Sequence, residues 1–263
     1  MTIGVGIITC DRPELFERSI QSLPKADLVV VVNDGQPLSF DLAPLGIDFL
    51  IQHDHHAGVT QSKNDALEVL LQEGVEHIFL MEDDVIIKNR DVYQYYIKAA
   101  QSSGIRHFNF CLASPHNQKR YAIKYNDDGV GISFFRNLYQ PWAYFHRSVL
   151  EEVGLFDTAF YNALGHVDHT YRIIKTGLYS PYWWFADISG SNYLLETLDP
   201  SFSQSLLKKD PILFRRNMTS SIEHFIQKHG VHPARIPDVL REEVRESLRQ
   251  LFYKKCSRVL QDQ

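Results

Sequence analysis

Five short apolar runs, residues 3–9, 28–33, 47–52, 77–82 and 106–111, are separated by stretches whose apolar residues recur at helical spacing. Alternation of this kind limits the chain to an α/β fold with a mostly parallel central sheet, because parallel neighbours need a crossover and the crossover helix covers a face of the sheet. The first crossover opens on Arg12-Pro13-Glu14. Pro sits there at an early helical position that needs no N–H, and Glu faces the positive helix end. Phe16, Ile20 and Leu23 follow at i, i+4 and i+7 before Pro24 ends the run. A second helix reads from Thr60, its candidate N-cap, to about Gln72, with Leu67, Leu70 and Leu71 buried and Gly74 as terminator.

Beyond residue 112 the pattern is less regular. Asn126-Asp127-Asp128-Gly129 reads as a turn, and Phe134 to Phe145 is rich in aromatic residues. From Ile212 the chain reads as helices broken by Gly230 and Pro233, the last from Pro237 to Leu260 with Val239, Leu240, Val244, Leu248, Leu251 and Phe252 along one side. Acidic residues interleave with its basic ones, which favours packing on the domain or on a second copy (a homodimer) over peripheral contact with a membrane. The expected organisation is an α/β domain over 1–211, with a nucleotide-binding half (1–112) and an acceptor-side half (113–211), followed by a helical extension over 212–263.

A chain of 263 residues with 44% hydrophobic and 22% charged residues is an ordinary globule, and its net charge of -5 gives no footprint for nucleic acid. Cys10, Cys111 and Cys256 are widely spaced with no CxxC, so a reducing, cytoplasmic setting is expected rather than a disulfide framework or a zinc knuckle. Strand character begins at Ile3 with no basic leader, and no apolar run approaches the roughly 18 residues of a membrane span.

The segment His77-Ile-Phe-Leu-Met-Glu82-Asp83-Asp84-Val85 carries the chemistry: an apolar strand delivers three adjacent carboxylates to its carboxyl end. Such carboxylates repel one another unless a cation offsets them, and clustered oxygen ligands suit Mg²⁺ or Mn²⁺. Ligands of parallel α/β sheets bind beyond the carboxyl ends of the strands, so the other strand ends belong to the same inventory. They are Thr9-Cys10-Asp11-Arg12-Pro13, Asn33-Asp34-Gly35 and the approach to Gly58-Val59-Thr60-Gln61-Ser62-Lys63-Asn64.

In order and spacing these motifs resemble the GT-A glycosyltransferases of the family 2 type, which are inverting, nucleotide-sugar-dependent enzymes. Ile7-Ile8-Thr9 with Arg12-Pro13 resembles the opening strand and turn, Val31-Val32-Asn33-Asp34-Gly35 the second strand, and Glu82-Asp83-Asp84 stands where the family has its DxD-type metal motif. The resemblance implies a UDP-sugar donor and a glycan or glycolipid acceptor in surface polysaccharide synthesis. It gives Asp84 to the metal and Glu82 and Asp83 to the ribose or sugar. Asp34 falls to the uracil N–H, with Thr9, Arg12 and Lys63 near the nucleotide. Gly154-Leu155-Phe156-Asp157-Thr158-Ala159-Phe160 resembles the segment that precedes the family's base. The family continues Glu-Asp-x-Asp-Leu-x-x-Arg, whereas this chain has Gly165-His166-Val167-Asp168-His169-Thr170-Tyr171-Arg172. The usual base pair is therefore replaced, and either His166 or Asp168 is left to take the acceptor's proton.

His53-Asp54-His55-His56 reads as a polar loop, since neighbours on an extended segment point in opposite directions and cannot all face one ion. Trp142 is the acceptor-binding candidate among Trp142, Tyr144, Trp183 and Trp184, and His224, His229 and His232 read as surface residues. Sugar nucleotidyltransferases share the architecture but open with a Gly-rich phosphate loop, which the turn after strand one is not. A binding module that keeps the fold without turnover is the second reading.

Overall fold

The computed structural model describes residues 1–118, 123–127, 130–177, 185–199 and 209–235 and isolated positions between 242 and 250, without the side chains of 118–130. Trp183, Trp184, Cys256 and most of the amphipathic stretch 237–260 lie outside the described residues.

The strands are β1 (Ile3–Thr9), β2 (Leu28–Asn33), β3 (Phe49–Gln52), β4 (His77–Glu82), β5 (Val85–Ile87), β6 (His107–Asn109), β7 (Ile123–Asp127), β8 (Val130–Phe135), β9 (Trp142–His146), β10 (Phe185–Ile188) and β11 (Leu195–Thr197). The helices are α1 (Pro13–Gln21), α2 (Val59–Gln72), α3 (Val92–Ser103), α4 (Pro115–Gln118), α5 (Arg147–Val153), α6 (Gly165–Lys175) and α7 (Pro211–His229). The main sheet runs β3-β2-β1-β4-β9-β6, and its β1, β2, β3 and β4 are parallel as expected. β9 enters antiparallel between β4 and β6. β10, β8 and β7 form a second, antiparallel sheet, and β11 pairs with β5.

All seven residues of β1 are buried, as befits a central strand with both faces covered. α1 begins with Pro13 and Glu14, as its sequence predicts. α2 begins one residue before Thr60, whose hydroxyl donates instead to the Phe160 carbonyl. Trp142 is fully buried, packed on Phe79, Tyr93 and Tyr96, so the acceptor role expected of it is corrected: no ring face is free for a sugar. Of the aromatic run 134–145, Phe134 and Phe135 are buried on β8 and Trp142, Tyr144 and Phe145 on β9, an interior strand with four of its five residues buried. No helix among the described residues is long and apolar enough to cross a membrane.

Candidate active site

Parallel registry brings the carboxyl ends of three strands side by side, with Thr9 opposite Asn33 and Ile8 opposite Glu82. The Thr9 hydroxyl donates to Asp83 at 2.8 Å, and Arg12 forks onto both oxygens of the same carboxylate. Lys63, buried on the first turns of α2, donates to Glu82 at 2.9 Å. Among the described residues Asp84 has no such partner: its Oδ2 is 4.0 Å from the Arg12 guanidinium and its buried Oδ1 meets no hydrogen-bond donor.

The charges follow from this geometry. Burial pushes the Asp83 carboxyl up to about 6, with Arg12 and Thr9 opposing and Glu82 adding to it. Asp84 goes up to about 8, first through burial, then through Glu82 and Asp83, with Arg12 opposing and Asp199 adding a further push. Glu82 moves the other way, because Lys63, with help from Arg12 and His166, outweighs its burial. A carboxylate with a bare buried oxygen among other carboxylates fits a hard divalent cation. Asp199 was not singled out in the sequence: it reaches the site because Thr197 on β11 pairs with Val85 and the Leu198 N–H donates to the Asp84 carbonyl at 2.7 Å. Tyr139 was missed too, and its hydroxyl is pushed up by burial and by Asp84, Glu82 and Asp199.

Asp34 is nearly buried, and its carboxylate accepts from the Ala57 and Gly58 N–H groups at 2.7 and 2.9 Å and from His53 at 2.7 Å. The other nitrogen of His53 meets Asp65 at 2.8 Å. The segment is the polar loop its sequence suggests, and His53 gives it a fixed place: it bridges two carboxylates and pins the loop before α2 to the end of β2. Burial lowers the affinity of His53 for its proton, but Asp34 and Asp65 outweigh that and raise it.

α6 separates the two base candidates. Asp168 is fully buried and accepts from Arg172 at 3.0 Å, from Lys228 at 3.1 Å and from His229 at 2.7 Å, so it is enclosed by the guanidinium of its own helix and by the ammonium and imidazole of α7. Arg172 also donates to the Val153 and Leu155 carbonyls, and His169 meets the Gly154 carbonyl at 2.8 Å. Asn64 closes the same segment with paired 2.9 Å bonds to Phe156. His166, by contrast, lies close enough to Lys63 and Glu82 to feel their charges. Gly165 is dictated by space, since a Cβ there would come within 2.6 Å of the Thr60 hydroxyl. The family's Glu at this position would have to displace the Thr60 hydroxyl from its bond to the Phe160 carbonyl.

No family model and no curated protein matches the chain. Solved structures do. S. aureus TarS 1–349 is 12% identical with a TM-score of 0.55, over 97% of this chain and 71% of that one. The mannosyltransferase PcManGT from Pyrobaculum calidifontis, in complex with GDP-Man and Mn²⁺, is 14% identical with a TM-score of 0.56, over 97% and 73%. GalNAc-T7 with UDP, GalNAc and Mn²⁺ is 10% identical with a TM-score of 0.56, over 100% and 57%. The chain has the GT-A glycosyltransferase fold.

Proposed function

We propose that this GT-A chain is a metal-dependent inverting glycosyltransferase that moves a sugar from a UDP-sugar to a hydroxyl of a glycan or glycolipid. The observation that carries the reading is the bare, buried Oδ1 of Asp84 at a strand end already furnished with Arg12 and Lys63. Asp84 would hold Mn²⁺ or Mg²⁺, with Asp199 a further carboxylate whose charge acts on it. When bound, the cation would offset the negative charge that grows on the leaving diphosphate.

The chain's own residues do the rest. Thr9 and Arg12 fix Asp83, and Lys63 fixes Glu82, so both carboxylates are oriented before a donor arrives. Asp34 holds the nucleobase side of the cleft, where a uracil N–H would meet the Oδ2 lone pair that Gly58 does not use. His166 is the base: as the acceptor oxygen bonds to the anomeric carbon and the bond to the diphosphate breaks, the hydroxyl proton passes to the imidazole. The inverting course, a hexosyl donor and a role in capsule or lipopolysaccharide synthesis at the cytoplasmic face of the membrane come with the family 2 resemblance and belong to the same proposal. So does the division into an α/β domain over 1–211 and a helical extension.

Calorimetric titration with UDP, first with Mn²⁺ and then with excess EDTA, tests the reading. UDP is expected to bind only with the metal, and Asp84→Ala is expected to abolish that dependence together with turnover of a UDP-sugar. An Asp84→Ala chain as active as the native one sinks the metal assignment. Metal-dependent UDP binding without turnover on any acceptor favours the binding module.

A further inference from the structure

On the β2 side of β1, away from the acidic end of β4, three side chains of different chemistry converge. Cys10 Sγ, a carboxylate oxygen of Asp11 and a ring nitrogen of His56 all lie within 4.8 Å of one another. Thiol, imidazole and carboxylate together form a softer donor set than the oxygens around Asp84, and one that suits Zn²⁺ over Mg²⁺.

The hydrogen bonds around the cluster leave a place for a cation. His56 Nδ1 lies against the carbonyl of Asp34, which can only accept, and the Cys10 thiol, 3.5 Å from Nδ1, donates to the same carbonyl at 3.4 Å, so in the neutral ring Nδ1 carries the proton and Nε2 keeps its lone pair. Nε2 lies 3.8 Å from Asp11 Oδ2. In that form two acceptors face each other with no hydrogen between them, a place a cation would fill, and the carbonyl behind the ring fixes its tautomer as partners of metal-bound histidines do.

The backbone is shaped to present these ligands. Asp11 adopts φ +50°, a left-handed conformation that side chains other than Gly rarely take. Its Oδ1 accepts from the Gln36 N–H at 2.7 Å, which leaves Oδ2 for His56. Gly35 allows this, because a Cβ there would come within 2.3 Å of Asp11 Oδ1. Tyr161 holds the other side by donating to the His56 carbonyl at 2.8 Å. The His56 side chain is 53% exposed and that of Asp11 28%, so an ion has an entry path and an outer coordination position.

We propose that Cys10, Asp11 and His56 bind a thiophilic divalent cation, Zn²⁺ in kind, as three protein ligands with a fourth position open to solvent. Binding releases the Cys10 thiol proton to water and changes no oxidation state. The site ties the end of β1 to the loop before α2 and does not depend on the activity proposed for the acidic strand end.

Co²⁺ titration of the full chain, stripped with a chelator, provides the test. A sulfur-to-cobalt charge-transfer band is expected, bleached by Zn²⁺ and absent in Cys10→Ser. His56→Ala should weaken Co²⁺ binding by at least the roughly tenfold typical of a lost supporting group. Asp84→Asn should leave the band unchanged. A native chain without the band, or a band that survives Cys10→Ser, overturns the proposal. If Cys10→Ser does not fold by circular dichroism, the half-exposed His56 decides: native Co²⁺ affinity in His56→Ala overturns it equally.

Discussion

Burial and the Lys63 charge push the His166 imidazole down to about 4, with Glu82 opposing, so at neutral pH the ring is unprotonated and free to accept. A base works best with its pKa near the working pH, and a nucleoside diphosphate arriving beside Lys63 would supply the negative charge that raises it. His166→Ala should therefore lower turnover of the UDP-sugar by about 10²–10⁴-fold while UDP affinity in Mn²⁺, read by calorimetry, stays near native. Unchanged turnover would return the proton to another group. Residue identity at the strand ends was legible because parallel sheets gather their chemistry there. What each residue touches was less so. Asp168 matches a family aspartate by spacing, yet its partners Lys228 and His229 come from 60 and 61 residues further along the chain.

At the scale of elements, those partners make α7 part of the domain's surface. Asp157 joins them: it accepts from Lys228 at 2.7 Å and meets His224 at 3.1 Å, and these hydrogen bonds, the Ala159 N–H and the Lys228 charge hold its carboxyl well below the usual range despite its partial burial. Removing one side of a buried ionic cluster strands the other side. Asp168→Ala is therefore expected to cost roughly 3 kcal/mol in urea unfolding, and to raise amide exchange along Pro211–His229 more than along β1. A loss of turnover with native stability and exchange would make Asp168 the base after all. The first-half elements were legible, since continuous apolar runs and helical stripes fix β1, β2, β4, α1 and α2 nearly to the residue. β9 was not, because its insertion between β4 and β6 reverses the chain, and periodicity carries no information on strand neighbours. The start of α2 was misread at Thr60 for a similar reason. Its hydroxyl serves the Phe160 carbonyl, 100 residues away, rather than its own helix.

At the scale of the molecule, the sheet and α6 are joined through a buried histidine. His107 on β6 is fully buried, its Nδ1–H donating to the Tyr144 carbonyl at 2.8 Å and its Nε2 accepting from the Thr170 hydroxyl at 3.1 Å. Burial pushes its imidazole down to about 3 in the folded chain, the Tyr144 bond opposing. In the unfolded chain it titrates near 6.5, so below that pH the unfolded state takes up a proton that the folded state refuses. The resulting stability is complete above pH 6.5 and is lost progressively as the pH falls towards 3, at about 1.4 kcal/mol per pH unit. The total pH profile will not isolate this, because burial raises buried Asp187 to about 7 and its protonation stabilises the fold over much of the same range. The difference between two chains isolates it. His107→Asn retains an amide N–H in place of Nδ1–H but does not titrate. Between pH 6.5 and 5 the native chain should thus lose about 2 kcal/mol more unfolding free energy than the variant, measured by urea titration at each pH. Parallel pH profiles would mean that His107 takes its proton within the fold, and that the joint between the sheet and α6 opens as the pH falls.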